Sequence, residues 1–276
     1  RLVAHRVVAG RPHGAEGGVD LPGEGFRTTI RAGVEVDGRA GYRHARSHDL
    51  VLPESCLVAH PVVERLLVGS RFPAAHEVTI RVGARTGEAL VVVDPVVAGA
   101  TLAADVEGAV AVDLHVAADA HYHEEVAGRR WRISGPSFFQ SRPDGADALV
   151  AEVAGAVTEL VGRPRRLVDL CAGVGLFAGT VAADHVIAVE SHEEWQVAPA
   201  DVVIADPPRT GLRRRGVEQV VATGAELVVL VSCDAGSLGR DAGLLAAAGY
   251  RLERVVLVDM FPHTHHVEVV TTYLRT

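Results

Sequence analysis

Four short stretches of the chain end in residues able to do chemistry. "ELVVLVSCDAGSLGRD" (226–241) carries an apolar run into Cys233 and then breaks into Asp-Ala-Gly-Ser-Leu-Gly. A thiol placed there, beside the first N–H groups of a helix, is expected to have a depressed pKa and to act as a nucleophile. "DVVIADPPRTG" (201–211) delivers Asp206 ahead of Pro207 and Pro208, whose fixed φ angles and missing N–H groups stiffen the turn. "RLVDLCAGVGLF" (166–177) leads into Gly173-x-Gly175, where absent side chains let backbone N–H groups approach a ligand. "VIAVE" (186–190) closes on Glu190, seventeen positions beyond Gly173, a spacing that suits an acceptor for ribose hydroxyls.

The elements that must position these residues follow from the same runs. Short apolar segments, joined by "RVVLVDM" (254–260), alternate with helical ones such as "DALVAEVAGAVTELVG" (147–162). Strands buried on both faces and alternating with helices predict a doubly wound α/β sheet, in which ligands sit beyond the carboxyl ends of the strands. Upstream of about residue 135 the pattern differs. β-prone runs "FRTTIRAGVEV", "EVTIRVG", "EALVVVD" and "GAVAVDLHV" dominate, with one predicted helix in "PVVERLLVGS". Two domains are expected, a smaller β-rich α+β domain over 1–136 and a Rossmann-like catalytic domain over 137–276.

Composition sets outer limits. The chain has 276 residues, 48% of them hydrophobic, and a formal net charge of −8. That balance argues against a surface that is basic throughout, while local arginine clusters still allow phosphate binding. Arg129, Arg130, Arg132 and Arg213 to Arg215 form such clusters, open to reading as phosphate contacts or as solvated faces. No apolar run approaches the ~18 residues of a membrane span, and no leader precedes the first strand, so a cytoplasmic location is expected. The first residue is Arg1, which reads as a start inside a longer chain. Only Cys56, Cys171 and Cys233 occur, far apart, so neither a disulfide framework nor a self-contained zinc site is expected. His263, His265 and His266 lack further donors at ligand spacing other than Glu268, and no metal is expected there.

The glycines alone do not choose between a dinucleotide and S-adenosylmethionine, because Ala178 at the third glycine position is an allowed substitute. The acid-Pro-Pro turn at Asp206 is similar to the substrate edge of class I methyltransferases. With it, the chain resembles the RNA (uracil-5-)-methyltransferase family. "SFFQ" (137–140), "DLCAGVGLF" (169–177), "DPPRTGL" (206–212), "VSCDAGSLGRD" (231–241) and "MFPHTHHVE" (260–268) carry the likeness in the family's order. "GRAGYRHARSHDLVLPESCLVAHP" (38–61) resembles the family's central, RNA-contacting domain.

The resemblance implies a class I, S-adenosyl-L-methionine-dependent methyltransferase acting on structured RNA, either tRNA or rRNA, with no membrane and no DNA partner. It implies Cys233 as the nucleophile that adds to uracil C6 and Glu268 as the base that removes the C5 proton. Gln140, Cys171, Gly173, Gly175, Leu176, Glu190 and Asp206 fall at cofactor-lining positions, Leu176 in place of a common Asn. Two other functions stay open: methylation of a small molecule or of adenine without a cysteine nucleophile, and RNA binding without catalysis.

The chain also departs from the family. Eleven residues separate Glu190 from Val202, where the family has a helix, a further strand and a loop, so a missing segment is expected across 191–201. Nothing in the sequence corresponds to the N-terminal oligonucleotide-binding barrel of many relatives. Some relatives hold an iron–sulfur cluster with four cysteines. Cys56 matches the fourth, and a cluster is expected only if a longer chain supplies three more.

Overall fold

The computed structural model describes residues 16–44, 47, 49–95, 99–106, 108–114, 117–190, 198–264 and 266–276. The larger of its two main sheets contains β10 (Arg166–Leu170), β11 (His185–Val189), β12 (Val202–Ala205), β13 (Leu227–Ser232), β14 (Tyr250–Val258) and β15 (Glu268–Arg275). β1 (Glu16–Val19) joins its far edge from the start of the chain, giving the order β1-β14-β15-β13-β12-β10-β11. All neighbours pair in parallel except β15, which runs antiparallel between β13 and β14. The doubly wound α/β expectation holds, with this one reversed strand.

The unbroken apolar runs have a simple cause. Successive side chains of a strand point to opposite faces, so a strand covered on both sides needs apolar residues at every position. Leu167, Val202, Ile204, Leu227 and Val229 face α2 (Pro143–Leu160), whose Ala146, Leu149, Val153 and Val157 fill one core. Val168, Val203, Ala205, Val228 and Leu230 face the opposite core, built on α4 (Arg213–Ala222) and α5 (Ala235–Ala247). Each large aliphatic side chain so buried contributes about 1.5–3 kcal/mol.

β11 breaks the expectation of burial on both faces. It is the sheet edge, and its Val186 and Ile187 are 39% and 37% exposed. The segment expected to be missing beside it falls mostly on 191–197, outside the described residues.

The second sheet has the order β4-β3-β2-β5-β6-β7, from β2 (Thr29–Val34), β3 (Ala40–Arg43), β4 (Leu50–Val51), β5 (Glu77–Val82), β6 (Ala89–Asp94) and β7 (Ala109–Asp113). α1 (Pro61–Gly69) covers one face with Val63, Leu66 and Leu67. A hairpin of β8 (His121–Val126) and β9 (Arg129–Ser134) turns through Ala127 and Gly128, both at positive φ as a tight two-residue turn requires. It packs Tyr122, Val126, Trp131 and Ile133 into the core under α2. β6 ties the two sheets together, sending Leu90 and Val92 to that core and Val91 and Val93 to the one under α1. No helix among the described residues is long and apolar enough to cross a membrane.

Candidate active site

β10, β12 and β13 are parallel, so the residues after their last positions gather on one edge of the sheet. These are Cys171, Asp206 and Cys233. β15 runs the other way, so its first residue, Glu268, arrives at the same edge. Ser232 pairs with Val269 at the end of the β13–β15 ladder, which sets Cys233 and Glu268 opposite each other one step further on. Gln140, in the loop leading to α2, donates from Nε2 to Asp206 Oδ2 at 3.4 Å.

The edge is crowded with acids. Asp169, fully buried, accepts the Ala178 N–H at 2.8 Å through one oxygen while the other has no partner. Burial, aided by the Glu190 charge, pushes its carboxyl up to about 7. Asp206 rises to about 7 through burial and then the Asp169 charge. Glu268, 3% exposed, rises to about 8 through burial and then Asp206, against a lowering by Arg209. In each case removal from water disfavours the ionised form and neighbouring negative charge disfavours it further.

The same field corrects the expectation of a depressed Cys233 pKa. Burial, Glu268 and Asp206 push the thiol up, against a lowering by Arg209. The start of α5 does not prevail because its first N–H groups already have an acceptor, the Asp234 side chain, which takes the Ser237 N–H at 2.7 Å. Cys171 is pushed up to about 12 by burial and then by Asp206, Glu190 and Asp169, which favours its neutral thiol form.

The glycine loop is open where a ligand would approach. Gly173 (φ +56°) and Gly175 (φ +87°) adopt left-handed backbone, and a Cβ on either would meet nothing nearer than 4.0 Å. Glu190, expected to receive ribose hydroxyls, accepts the Gly173 N–H at 2.5 Å in this structure, which fastens the loop to the end of β11. Leu176 does not join the site through its side chain, which packs in the core under α2 while its backbone opens α3 (Leu176–Thr180).

Arg209 and Asp169 are site residues that the sequence does not single out by type and spacing alone. The arginine directly after Pro-Pro is a usable signal, since two prolines leave the next side chain little choice of direction. Nothing local marks Asp169, an acid inside an apolar strand, as more than a sheet residue. Of the three histidines near Glu268 in sequence, His263 Nε2 meets the Gly23 carbonyl at 3.1 Å and His266 stacks edge-on against Phe261, beside Arg209 at 3.5 Å. His265 lies outside the described residues. Two of the three β9 arginines are engaged within the protein, Arg129 with the Gly179 carbonyl and Trp131 and Arg130 with Glu88, while Arg132 is exposed.

Comparison with known proteins decides the family. The profile described as tRNA (uracil-5-)-methyltransferase matches residues 194–275. A protein of Corynebacterium efficiens described as an uncharacterized RNA methyltransferase is 30% identical over 92% of this chain and 67% of its own length. The chain belongs to the RNA (uracil-5-)-methyltransferase family. A second relative, the 23S rRNA (uracil(1939)-C(5))-methyltransferase of Pectobacterium atrosepticum, is 30% identical over 85% of this chain and 63% of its own. The crystal structure of the Pyrococcus abyssi tRNA (uracil-54, C5)-methyltransferase with S-adenosyl-L-homocysteine superposes with a TM-score of 0.69, covering 94% of this chain and 78% of that one at 22% identity. That likeness shows a shared fold. The chain spans about two thirds or less of the length of the curated relatives it matches first.

Proposed function

We propose that this chain methylates C5 of a uridine in tRNA or rRNA, with Cys233 as nucleophile and Glu268 as base. The observation that carries the reading is the placement of Cys233 opposite Glu268 at two adjacent strand tips, with Asp206 and Arg209 acting electrostatically on both.

Uracil C5 is a weak nucleophile. Addition of the Cys233 thiolate to C6 makes C5 enolate-like, and C5 would then take a methyl group that bound S-adenosylmethionine would supply, its methyl–sulfur bond breaking to leave the neutral thioether. The C5 proton passes to Glu268, and the C6–S bond breaks to return the thiolate. A base whose carboxyl titrates near 8 holds an abstracted proton well at neutral pH, provided that it is ionised when substrate is bound. Reaching C6 of a paired base requires extruding the nucleotide from its stack.

The residues present fit S-adenosylmethionine, which supplies the methyl group as an electrophile on a sulfonium. Asp169, Asp206 and Glu268 have carboxyls raised by burial and then by neighbouring negative charge, and a cationic ligand relieves the second of these. The unpartnered oxygen of Asp169 and the open Gly173–Gly175 loop lie on the same edge. Gln140, Cys171, Glu190 and Asp206 would line that space, and Leu176 would contribute backbone only. An iron–sulfur cluster does not fit the residues present. Cys56 is the single cysteine before Cys171, and its sulfur lies 3.3 Å from the Tyr42 hydroxyl.

One observation favours a second reading. The exposed β11 edge beside Glu190 suits a cofactor pocket lacking a wall, as in an RNA-binding protein without transfer activity. The deciding experiment incubates the protein and S-adenosylmethionine with tRNA and rRNA containing 5-fluorouridine, beside a Cys233→Ala control. Fluorine cannot leave C5 as a proton does, so a covalent protein–RNA adduct absent from the control supports the enzyme. RNA binding without adduct or cofactor binding supports the second reading.

A further inference from the structure

The loop bearing Asp206 and Arg209 is held from an unexpected direction. It runs on through Thr210 and Gly211 into α4, whose N-cap position is Leu212, a buried side chain with no capping group. The cap comes from α5 instead. Asp241, 1% exposed, accepts the Leu212 N–H at 2.7 Å on one oxygen and the Arg213 N–H at 3.1 Å on the other. Arg240 completes the clamp, donating to Asp241 Oδ1 at 2.7 Å and to the Thr210 carbonyl at 2.7 Å. Gly211 has φ +67°, and a Cβ there would stand 2.2 Å from Asp241 Oδ2. Only glycine lets the loop come this close. Arg213 also takes left-handed backbone, at φ +58°, a conformation that costs a non-glycine residue about 1–2 kcal/mol and persists only where the surroundings impose it.

α5 begins two residues after Cys233, so the element that clamps the loop is the one that carries the nucleophile. We infer that Asp241 is a positioning residue for the transfer reaction, holding the Asp206–Arg209 loop in register with Cys233 through Leu212 and Arg213. The inference rests on the function proposed above. Asp206 is fixed independently, by its own N–H on the Leu170 carbonyl at 3.2 Å. Arg209 lies past the two prolines in a turn closed by the Gly211 N–H on the Pro208 carbonyl at 2.7 Å, with its guanidinium 3.5 Å from His266, and the backbone beyond that turn is held by the clamp. Release of the loop therefore moves Arg209 away from Cys233 more than it moves Asp206, and the thiol loses the side-chain charge that favours its ionised form while Glu268 and Asp206 continue to oppose it.

The test uses the full chain with Asp241→Asn, which keeps the shape of the side chain but turns one acceptor into a donor facing a backbone N–H. Arg240→Gln serves as a milder second variant, and Leu245→Ala, in the core on the inner side of α5, as a control that destabilises without touching the clamp. The first readout is the rate of Cys233 alkylation by iodoacetamide against pH, followed on the Cys233 peptide by mass. The expected result is a shift of the profile to higher pH in Asp241→Asn, seen as a roughly three- to tenfold slower reaction at pH 8, since one pKa unit changes the thiolate fraction about tenfold. Arg240→Gln should shift it less, and Leu245→Ala not at all at a matched loss of thermal stability. The second readout is transfer to RNA, where kcat should fall with KM little changed.

Wild-type profiles in both clamp variants would overturn the inference, as would an equal shift in Leu245→Ala. If the wild-type protein forms no adduct with 5-fluorouridine RNA yet the alkylation profiles shift as described, the clamp stands and the proposed function falls. If the adduct forms and the profiles do not shift, the proposed function stands and the clamp falls.

Discussion

Cys233 and Glu268 face each other across the β13–β15 ladder, one step past the Ser232–Val269 pair. The relationship exists because β15 alone runs antiparallel, which brings the start of one strand beside the end of another. Their roles separate cleanly by substitution. Cys233→Ala should abolish transfer and adduct formation, a loss of about 10³-fold or more, with S-adenosylmethionine binding retained. Glu268→Gln should still form the C6 bond but fail to release it, so denaturing gels with natural RNA should show a covalent complex. Normal turnover by either variant would remove that residue from the mechanism.

The raised carboxyls make a stability prediction with a definite sign. Glu268 titrates near 8 in the fold against 4.5 for the ordinary side chain, so the folded state holds its proton more tightly than the unfolded chain. Its contribution is complete below about pH 4.5 and is lost as pH rises through about 8. Glu268→Gln, which never ionises, should therefore stabilise the ligand-free protein at pH 9 by about 2–4 kcal/mol and have little effect near pH 5. Thermal melts of the two proteins across pH 5–9 measure this directly, and parallel curves would refute it.

The same acids predict the pH dependence of cofactor binding. Asp169 and Asp206 titrate near 7 and Glu268 near 8, so the site is partly protonated at neutral pH. A cationic ligand favours the ionised forms and must expel protons to bind. Affinity for S-adenosylmethionine should rise between pH 6 and 8, and calorimetry in buffers of different ionisation enthalpy should report proton release. S-adenosylhomocysteine, without the sulfonium charge, should show a weaker rise. Equal slopes for the two ligands would mean that the acids do not sense the sulfonium.

The sequence makes much of this arrangement legible, for a physical reason. β10, β12 and β13 are covered on both faces, so their apolar runs are continuous and their ends are abrupt, and Cys171, Asp206 and Cys233 stand where the runs stop. β15 is harder to see. "EVVTTYLR" has a pattern that suits several environments, and its place between β13 and β14 depends on contacts far apart in sequence. β1 is similar, a four-residue strand paired with β14 from the opposite end of the chain. The direction of the Cys233 pKa runs against the local signal because a helix start is a local feature, whereas the burial that opposes it, and then the charges at the ends of β12 and β15, come from tertiary packing. Leu176 lies at a family position, but an apolar side chain at the first turn of α3 follows the core beneath it.

Arg142 supports the loop that leads to Glu268, and its loss should be felt there. Among the described residues it is the largest fully buried side chain, with its guanidinium 4.3 Å over the Phe26 ring. It pairs with Asp144 at 2.7 Å and donates to the Pro22 carbonyl at 3.0 Å and the Met260 carbonyl at 3.3 Å. These contacts join the N-terminal segment, the start of α2 and residue 260 of the stretch that ends in Glu268. Arg142→Ala leaves two carbonyls without their buried donor and opens a cavity beside Phe26, while half-buried Asp144 can turn to water. The expected cost is about 2–4 kcal/mol of stability. Hydrogen exchange should quicken around 260–264 and 20–25 together, because one side chain holds both. Faster exchange in one segment alone would show that Arg142 supports them separately.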